Sequence, residues 1–190
     1  QSITGATEVL LHPGDAYIGL RSKSYIGQIG QPLDIQVQTI DPQGQAIGPH
    51  TFDVQLYKRE WFVVREDLGG DGLGYSVSYT DTLVSQSSVT TDARGRADVQ
   101  VTPTSGGLQR IVVEGRDSAG HLIRSSIFVW VGGEGAFWGV DNSLRMDLIA
   151  DKREYRPGEQ AQILIAAPYP NMSALVTVER GNVLEHRVMQ

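Results

Sequence analysis

The segment from Asp67 to Gly74, with the letters DLGGDGLG, is the part of the sequence that suggests a bound cation. Aspartates separated by glycines can wrap Ca²⁺ with carboxylate and backbone oxygens. However, Gly74 stands where a repeated Ca²⁺-binding nonapeptide would place its next aspartate, and no second copy of the segment follows. We therefore interpret residues 67–74 as a flexible hairpin loop and predict no metal ligand.

Other residue types that catalyse reactions or bind metals are scattered. The four histidines lie beside turns or strand ends, without a second ligand at metal spacing: His12, His50, His121 and His186. Neither G-x-S-x-G nor H-E-x-x-H occurs, and the chain has no cysteine to form a disulfide or a thiol nucleophile. The sequence therefore predicts surface histidines, no catalytic residue, no cofactor and no enzymatic activity.

The surroundings of Trp61 combine acidic, basic and aromatic residues: Lys58, Arg59, Glu60, Arg65, Glu66, Asp67, Asp71 and Tyr75. Carboxylates beside aromatics could form a glycosidase pair or a sugar platform, but in a sheet they more often mark a polar strand end. On a strand, Lys58 and Glu60 share one face while Arg59 and Trp61 share the other. This alternation predicts cross-strand ion pairs, each worth under about 1 kcal/mol when exposed.

Composition limits the kinds of partner. The 190 residues are 40% hydrophobic and carry a net charge of −6 without a cluster of basic residues, so nucleic acid is a poor partner. No apolar run approaches the roughly 18 residues that span a bilayer. The chain starts at Gln1 without an initiator methionine or signal peptide, which predicts an excised or processed fragment.

Short alternating strands run through the chain, and helical periodicity is almost absent. The apolar positions of two predicted strands are Leu33, Ile35 and Val37, then Phe52, Val54 and Leu56. Three Asp-x-x-Gly turns, at 41–44, 92–95 and 117–120, place a side-chain acceptor first and a conformationally permissive glycine last. This spacing predicts an all-β, antiparallel β-sandwich related to immunoglobulin and fibronectin domains.

An internal repeat indicates the domain organisation. The stretch from Leu20 to Val37 and the stretch from Leu148 to Ile165 both place a tyrosine before a glycine turn and an apolar strand. We predict a preceding-domain strand or extra edge strand in residues 1–17, a complete sandwich in 18–133, a linker in 134–145 and the start of a second domain in 146–190. That second domain has about three predicted strands, so it must pair with another copy or pack on the first domain.

The predicted linker contains two large aromatic side chains, Phe137 and Trp138. Their burial against neighbouring sheets could contribute roughly 2 kcal/mol or more each, whereas exposure would contribute nothing. We predict a linker held at a domain interface, with a ring pair folded back on its own domain as the alternative.

Four sequence blocks carry a resemblance that spans nearly the whole chain. Residues 151–181 match a lead-in D-K-x-x-Y-x-P-G-E, an apolar strand ending in A-P-Y, and the run A-L-V-T-V-E-R-G. Residues 54–61 resemble V-x-L-Y-R-R-E-W, with Lys58 at the first arginine position, residues 89–97 match V-T-T-D-A-x-G-x-A, and residues 128–131 resemble a closing strand F-V-W-V. This wording resembles the bacterial α2-macroglobulins, around the start of the macroglobulin-like domain that carries the protease bait.

The resemblance implies a scaffold fragment of a broad-spectrum endopeptidase inhibitor. In that family a protease cuts the bait, the domain ring rearranges, and a thioester in another domain captures the protease. The partners implied are target proteases, through the parent protein, and neighbouring macroglobulin-like domains. The implied location is extracytoplasmic, in the bacterial periplasm. The chain lacks the C-x-E-Q thioester motif. The alternative is an immunoglobulin-like stalk or adhesin module of a bacterial surface protein.

Overall fold

The computed structural model describes residues 5–67, 73–133, 148–165 and 173–189. Within these ranges the chain is all β, and it forms no helix long and apolar enough to cross a membrane. The strands are β1 (Tyr17–Ser22), β2 (Ile26–Gln28), β3 (Leu33–Ile40), β4 (Thr51–Asp67), β5 (Leu73–Thr90), β6 (Arg96–Val101), β7 (Gly107–Arg116), β8 (Leu122–Gly132), β9 (Leu148–Ala150), β10 (Ile163–Ile165), β11 (Ala174–Arg180) and β12 (Asn182–Met189).

The first eight strands form a two-layer sandwich, which confirms the predicted fold class. One sheet has the antiparallel order β1-β3-β6, and the other has the order β2-β8-β7-β4-β5. The chain changes sheets after β1, because β2 leaves the first layer and pairs in parallel with β8. The remaining pairs of the larger sheet are antiparallel. This arrangement is typical of immunoglobulin-like sandwiches.

The core lies between the two sheets and follows the predicted alternation. Strand β3 alternates buried with less buried positions along its whole length. The buried apolar cluster comprises Ala16, Leu33, Ile35, Val37, Phe52, Val54, Leu56, Val101, Ile111, Val113, Ile123, Val129 and Val131. Each large side chain that is fully buried here stabilises the fold by roughly 1.5 to 3 kcal/mol.

The three Asp-x-x-Gly turns have the predicted geometry. In each, the glycine has positive φ, namely 80° at Gly44, 69° at Gly95 and 84° at Gly120, and donates its N–H to the carbonyl of the leading aspartate. The Asp41 carboxylate accepts hydrogen bonds from two later backbone N–H groups, and Asp92 does the same. The aspartate thus acts as the side-chain acceptor and the glycine adopts the permissive backbone conformation, as the sequence predicted.

The β4–β5 hairpin is longer than the rest of its sheet. Strand β7 pairs with β4 only from Asp53 to Arg59, whereas β5 accompanies β4 as far as Asp67, opposite Leu73. The predicted hairpin is thus present, but residues 68–72 of the candidate Ca²⁺ loop lie outside the described residues. A bulge between Leu56 and Tyr57 in the pairing leaves Val84 as an extra residue on β5.

The second repeat reproduces the strand pairing of the first. Leu148 pairs with Ile165 across β9 and β10, as Leu20 pairs with Val37 across β1 and β3, and both residues lie 128 positions later. The glycine turn predicted after Tyr155 is present: Gly158 has φ of 88°, and Glu159 donates its N–H to the Arg156 carbonyl. The predicted domain limits themselves remain predictions, and Phe137 and Trp138 lie outside the described residues.

Strands β11 and β12 pair with each other and expose apolar side chains. All eight positions of β12 are exposed. The large exposed side chains of the hairpin are Leu175, Val178, Val183, Leu184, Val188 and Met189. The second repeat has four described strands, one more than predicted, in two separate two-stranded sheets. Residues 5–16 form no strand, and residues 1–4 lie outside the described residues. The terminal or edge strand expected within residues 1–17 therefore stays a prediction.

Candidate interaction site on the outer sheet face

A buried arginine lies on the outer face of the larger sheet. Phe52, Val54 and Leu56 of β4 point into the core, so Arg59 points to the opposite face by strict alternation. Its side chain is nevertheless only 8% exposed. Burial of a charged group requires a partner charge and saturated hydrogen bonds.

Asp81 of β5, directly opposite Arg59, supplies that partner charge. Arg59 donates to the carboxylate from Nε at 2.7 Å and from Nη2 at 2.8 Å, and Arg110 of β7 donates from Nη1 at 3.0 Å. The bond from Arg59 holds the pKa of Asp81 below its ordinary value, and Asp81 in turn raises the pKa of Arg59. Both groups therefore stay ionised at neutral pH.

Aromatic rings cover the guanidinium of Arg59. Its Cζ atom lies 3.7 Å from the ring centroid of Tyr79, 4.9 Å from that of Phe128 and 5.6 Å from that of Trp61. Trp61 and Tyr79 also contact each other edge to face, with centroids 5.3 Å apart. These cation–π contacts fix the rings on the sheet, since each is attractive and all share one cation.

The cluster has one guanidinium more than it has carboxylates. Arg59 and Arg110 share the single carboxylate of Asp81, and the buried Nε of Arg110 has no hydrogen-bond acceptor. Around them Phe128, Tyr79 and Leu83 are 39%, 49% and 50% exposed. The outer face therefore presents a preformed apolar rim around a locally positive centre.

This geometry does not suit catalysis or sugar stacking. The Asp81 carboxylate accepts three charged hydrogen bonds, so it is a poor general base. A sugar platform needs free aromatic faces, whereas the guanidinium of Arg59 occupies the face of Tyr79. The side chains of Arg65, Glu66, Asp67 and Tyr75, which belonged to the acidic–aromatic prediction, lie outside the described residues.

The ion-pair prediction around Trp61 is only partly met. Arg59 pairs across strands as predicted, but Lys58 pairs with Glu60 on its own strand, at 2.7 Å. The sequence reasoning missed Asp81, Arg110 and Phe128, which complete the cluster. The available signal was a single acidic residue, Asp81, in a strand otherwise rich in serine and threonine.

The histidines have different surroundings and do not form a metal site. His12 contacts the Tyr17 hydroxyl, His121 contacts Asp117, and His186 lies in the exposed strand β12. His50 is half-buried and stacks on Phe52. Among the described residues, no group of three or more histidine, aspartate or glutamate side chains could hold a metal ion.

A buried carboxylate fastens the segment before β1 to the β7–β8 turn. Asp117, whose side chain is fully buried, accepts hydrogen bonds from the backbone N–H of Asp15 at 3.0 Å and of His121 at 2.7 Å. Burial raises the pKa of this carboxyl, but the hydrogen bonds outweigh it and lower the pKa from 3.8 to about 2. Ala16, the residue after Asp15, belongs to the core, so this contact holds the chain where it enters the sandwich.

A backbone hydrogen bond joins the two repeats at Tyr25. Its carbonyl accepts from Trp130 of β8 at 2.9 Å, and its N–H donates to the carbonyl of Asp151 at 3.0 Å. Arg153 lies over the Tyr25 ring at 5.3 Å. On the far side of the junction, Asp151 accepts from the Tyr155 hydroxyl at 2.6 Å, which lowers the pKa of Asp151 and raises that of Tyr155.

Comparison with solved structures identifies the type of β-sandwich. The native conformation of E. coli α2-macroglobulin aligns with 94% of this chain and 12% of its own, at 21% identity and a TM-score of 0.50. No protein-family model matches the chain. The architecture is thus the macroglobulin-like β-sandwich.

Curated relatives show the same likeness in sequence. An α2-macroglobulin homologue from Nostoc sp. is 28% identical over 98% of this chain and 10% of its own length. One from Yersinia pestis is 22% identical over 96% of this chain and 9% of its own. Over nearly its whole length the chain is similar to these bacterial α2-macroglobulin homologues. It spans about a tenth of the length of the curated relatives it matches.

Proposed function

We propose that this chain is a structural scaffold segment of a bacterial α2-macroglobulin-like protease inhibitor, and that it has no enzymatic activity of its own. The observation that carries the proposal is the alignment of nearly the whole chain with curated α2-macroglobulin homologues. Its role is to hold other domains in place while a bait segment and a capture group elsewhere in the parent protein act on the protease.

The junction between the repeats supports a stiff scaffold. A trap that closes by domain movement needs rigid bodies that move about a few hinges. Here the Tyr25 backbone bonds both to Trp130 of the sandwich and to Asp151 of the second repeat. Two repeats tied in this way act as one spacer, because bending between them would break the hydrogen bond from Tyr25 to Asp151 and separate Arg153 from the Tyr25 ring.

The implied partners follow from this role. The parent protein contacts target proteases, and this segment contacts neighbouring macroglobulin-like domains. We place the parent outside the cytoplasm, in the bacterial periplasm. The relatives give no support to the alternative of a stalk or adhesin module, since the curated ones compared are named as α2-macroglobulins.

Inhibition assays test the proposal. The full-length parent protein, mixed with trypsin at increasing ratios, should abolish cleavage of a large protein substrate near equimolar amounts. The isolated 190-residue chain should leave the rate unchanged at any ratio. Stoichiometric inhibition by the isolated chain would disprove the scaffold role. If the parent protein inhibited no endopeptidase in a panel, the proposal that the chain is part of a protease inhibitor would be disproved.

A further inference from the structure

The outer sheet face around Arg59 has the composition of a protein-binding surface. Arginine, tryptophan and tyrosine dominate the binding energy of protein interfaces, and they do so best in pockets that are already ordered. Arg59 holds Tyr79, Phe128 and Trp61 in place before any partner arrives. We call the set Arg59, Trp61, Tyr79, Asp81, Leu83, Arg110 and Phe128 the outer-face patch.

The charge of the patch indicates what its partner must supply. Two guanidinium groups share one carboxylate, and the Arg110 side chain remains 28% exposed, so an incoming group can reach its guanidinium. The next charged pair on this face, Arg124 with Glu114, is already neutral. An incoming carboxylate would satisfy Arg110, and apolar side chains around it would cover Phe128, Tyr79 and Leu83.

We propose that the outer-face patch docks an adjoining domain of the parent protein through an acidic side chain that binds Arg110 and is flanked by apolar residues. The inference rests on the proposed function, which supplies the adjoining domains. A carbohydrate fits less well, because Arg59 lies against the Tyr79 face and the Asp81 oxygens are already bonded. A second copy docking patch to patch fits less well too, since two positive centres would meet.

Hydroxyl-radical footprinting tests the docking directly. In the full-length parent, oxidation of Phe128, Tyr79 and Leu83 should fall several-fold relative to the isolated chain. Leu122, which is 59% exposed at the other end of β8, serves as an internal reference within the same chain. Equal oxidation of the patch in parent and isolated chain would overturn the proposal.

Variants of the parent separate the roles of charge and apolar contact. Arg110→Gln and Leu83→Glu should each restore oxidation of Phe128 to the level of the isolated chain. Arg124→Gln is the matched control, because Arg124 lies on the same face, is 53% exposed and is paired with Glu114, and it should leave the protection intact. Protection that survives both patch variants contradicts a partner carboxylate at Arg110.

The remaining outcomes identify other occupants. Protection that appears in the isolated chain as its concentration rises would replace the adjoining domain with a second copy. Protection produced by added oligosaccharide would replace it with a carbohydrate. Protease inhibition by the parent is a separate measurement. A parent protein that inhibits proteases but leaves the outer-face patch exposed refutes only the docking surface. A protected patch in a parent that inhibits no protease refutes only the proposed function.

Discussion

At the scale of single residues, the turns show why sequence alone conveys so much of this fold. An aspartate followed three positions later by glycine combines an acceptor for two N–H groups with the positive φ that the turn requires. Similar turns nevertheless differ in their surroundings. Gly44 has open space where a Cβ would lie, whereas a Cβ on Gly95 would lie 2.4 Å from the Ile47 carbonyl oxygen.

This difference predicts unequal costs for one substitution. Gly44→Ala should lose on the order of 1 kcal/mol of unfolding free energy, because the left-handed backbone alone penalises a Cβ. Gly95→Ala should lose about 1 to 3 kcal/mol more, since the Cβ would also overlap the carbonyl oxygens of Ile47 and Thr39. Urea unfolding of both variants measures the costs, and equal losses would show that the backbone around Gly95 relaxes freely.

The buried Asp117 predicts an acid-sensitive contribution to stability. Its folded-state pKa of about 2 lies below the ordinary 3.8, so the ionised carboxylate stabilises the fold above that ordinary value. This contribution is lost as the pH falls through the window from 3.8 to about 2. The difference in unfolding free energy between wild type and Asp117→Asn should therefore be large at pH 5 and shrink towards pH 2.

The control for this titration is Asp53→Asn, at an exposed position of β4. This variant also removes one carboxylate, so it supplies the baseline against which the effect of Asp117→Asn is compared. Urea unfolding at half-unit pH steps gives both curves. A difference between wild type and Asp117→Asn that is constant with pH would show that Asp117 stabilises by shape and not by charge.

At the scale of elements, strict alternation explains both the success and the failure of prediction. Period-two patterns placed Ile35, Val54 and Leu56 in the core, where the structure has them. The same rule applied to β5 from Val89, which packs on the core, would also point Asp81 inward. The extra residue Val84 shifts the alternation by one, so Asp81 reaches the outer face opposite Arg59. A bulge leaves no signal in the residue types, so the lone acidic residue of β5 marked a polar position without revealing that it lies on the outer face.

The Arg59 cluster predicts a marked loss of stability when its carboxylate is removed. Asp81→Asn would leave two guanidinium groups without a counter-charge, and the Arg59 side chain is nearly buried. The free energy of unfolding should fall by on the order of 3 kcal/mol, as for other broken buried ion pairs. Glu60→Gln is the control, because Glu60 is 53% exposed and its pair with Lys58 is worth under about 1 kcal/mol. Similar losses for the two variants in urea unfolding would mean that water screens the Arg59 pair.

At the scale of the whole chain, the two repeats share strand pairing but differ in burial. The sandwich encloses its apolar side chains between two sheets, and the junction at Tyr25 ties it to β9 and β10 through Asp151. The β11–β12 hairpin keeps its large apolar residues exposed. Its alternating sequence correctly predicted strands, but alternation describes a face and does not say which surface covers it. The hairpin is thus the part of the described chain whose stability depends most on further contacts.

Hydrogen exchange of the isolated chain should therefore reveal two levels of stability. Amides of β4 and β7 lie in the centre of the larger sheet and should exchange only through global unfolding. Strands β11 and β12 form a separate two-stranded sheet, and β12 is exposed along its whole length. Two-stranded hairpins are marginally stable in water, so the amides of β11 and β12 should exchange many-fold faster than those of β4 and β7. Peptides covering 173–189 and 107–116, followed by mass spectrometry, give the comparison. Slow exchange in 173–189 that disappears on dilution would show that a second copy covers the hairpin. Slow exchange independent of concentration would mean that the hairpin packs on the sandwich of its own chain.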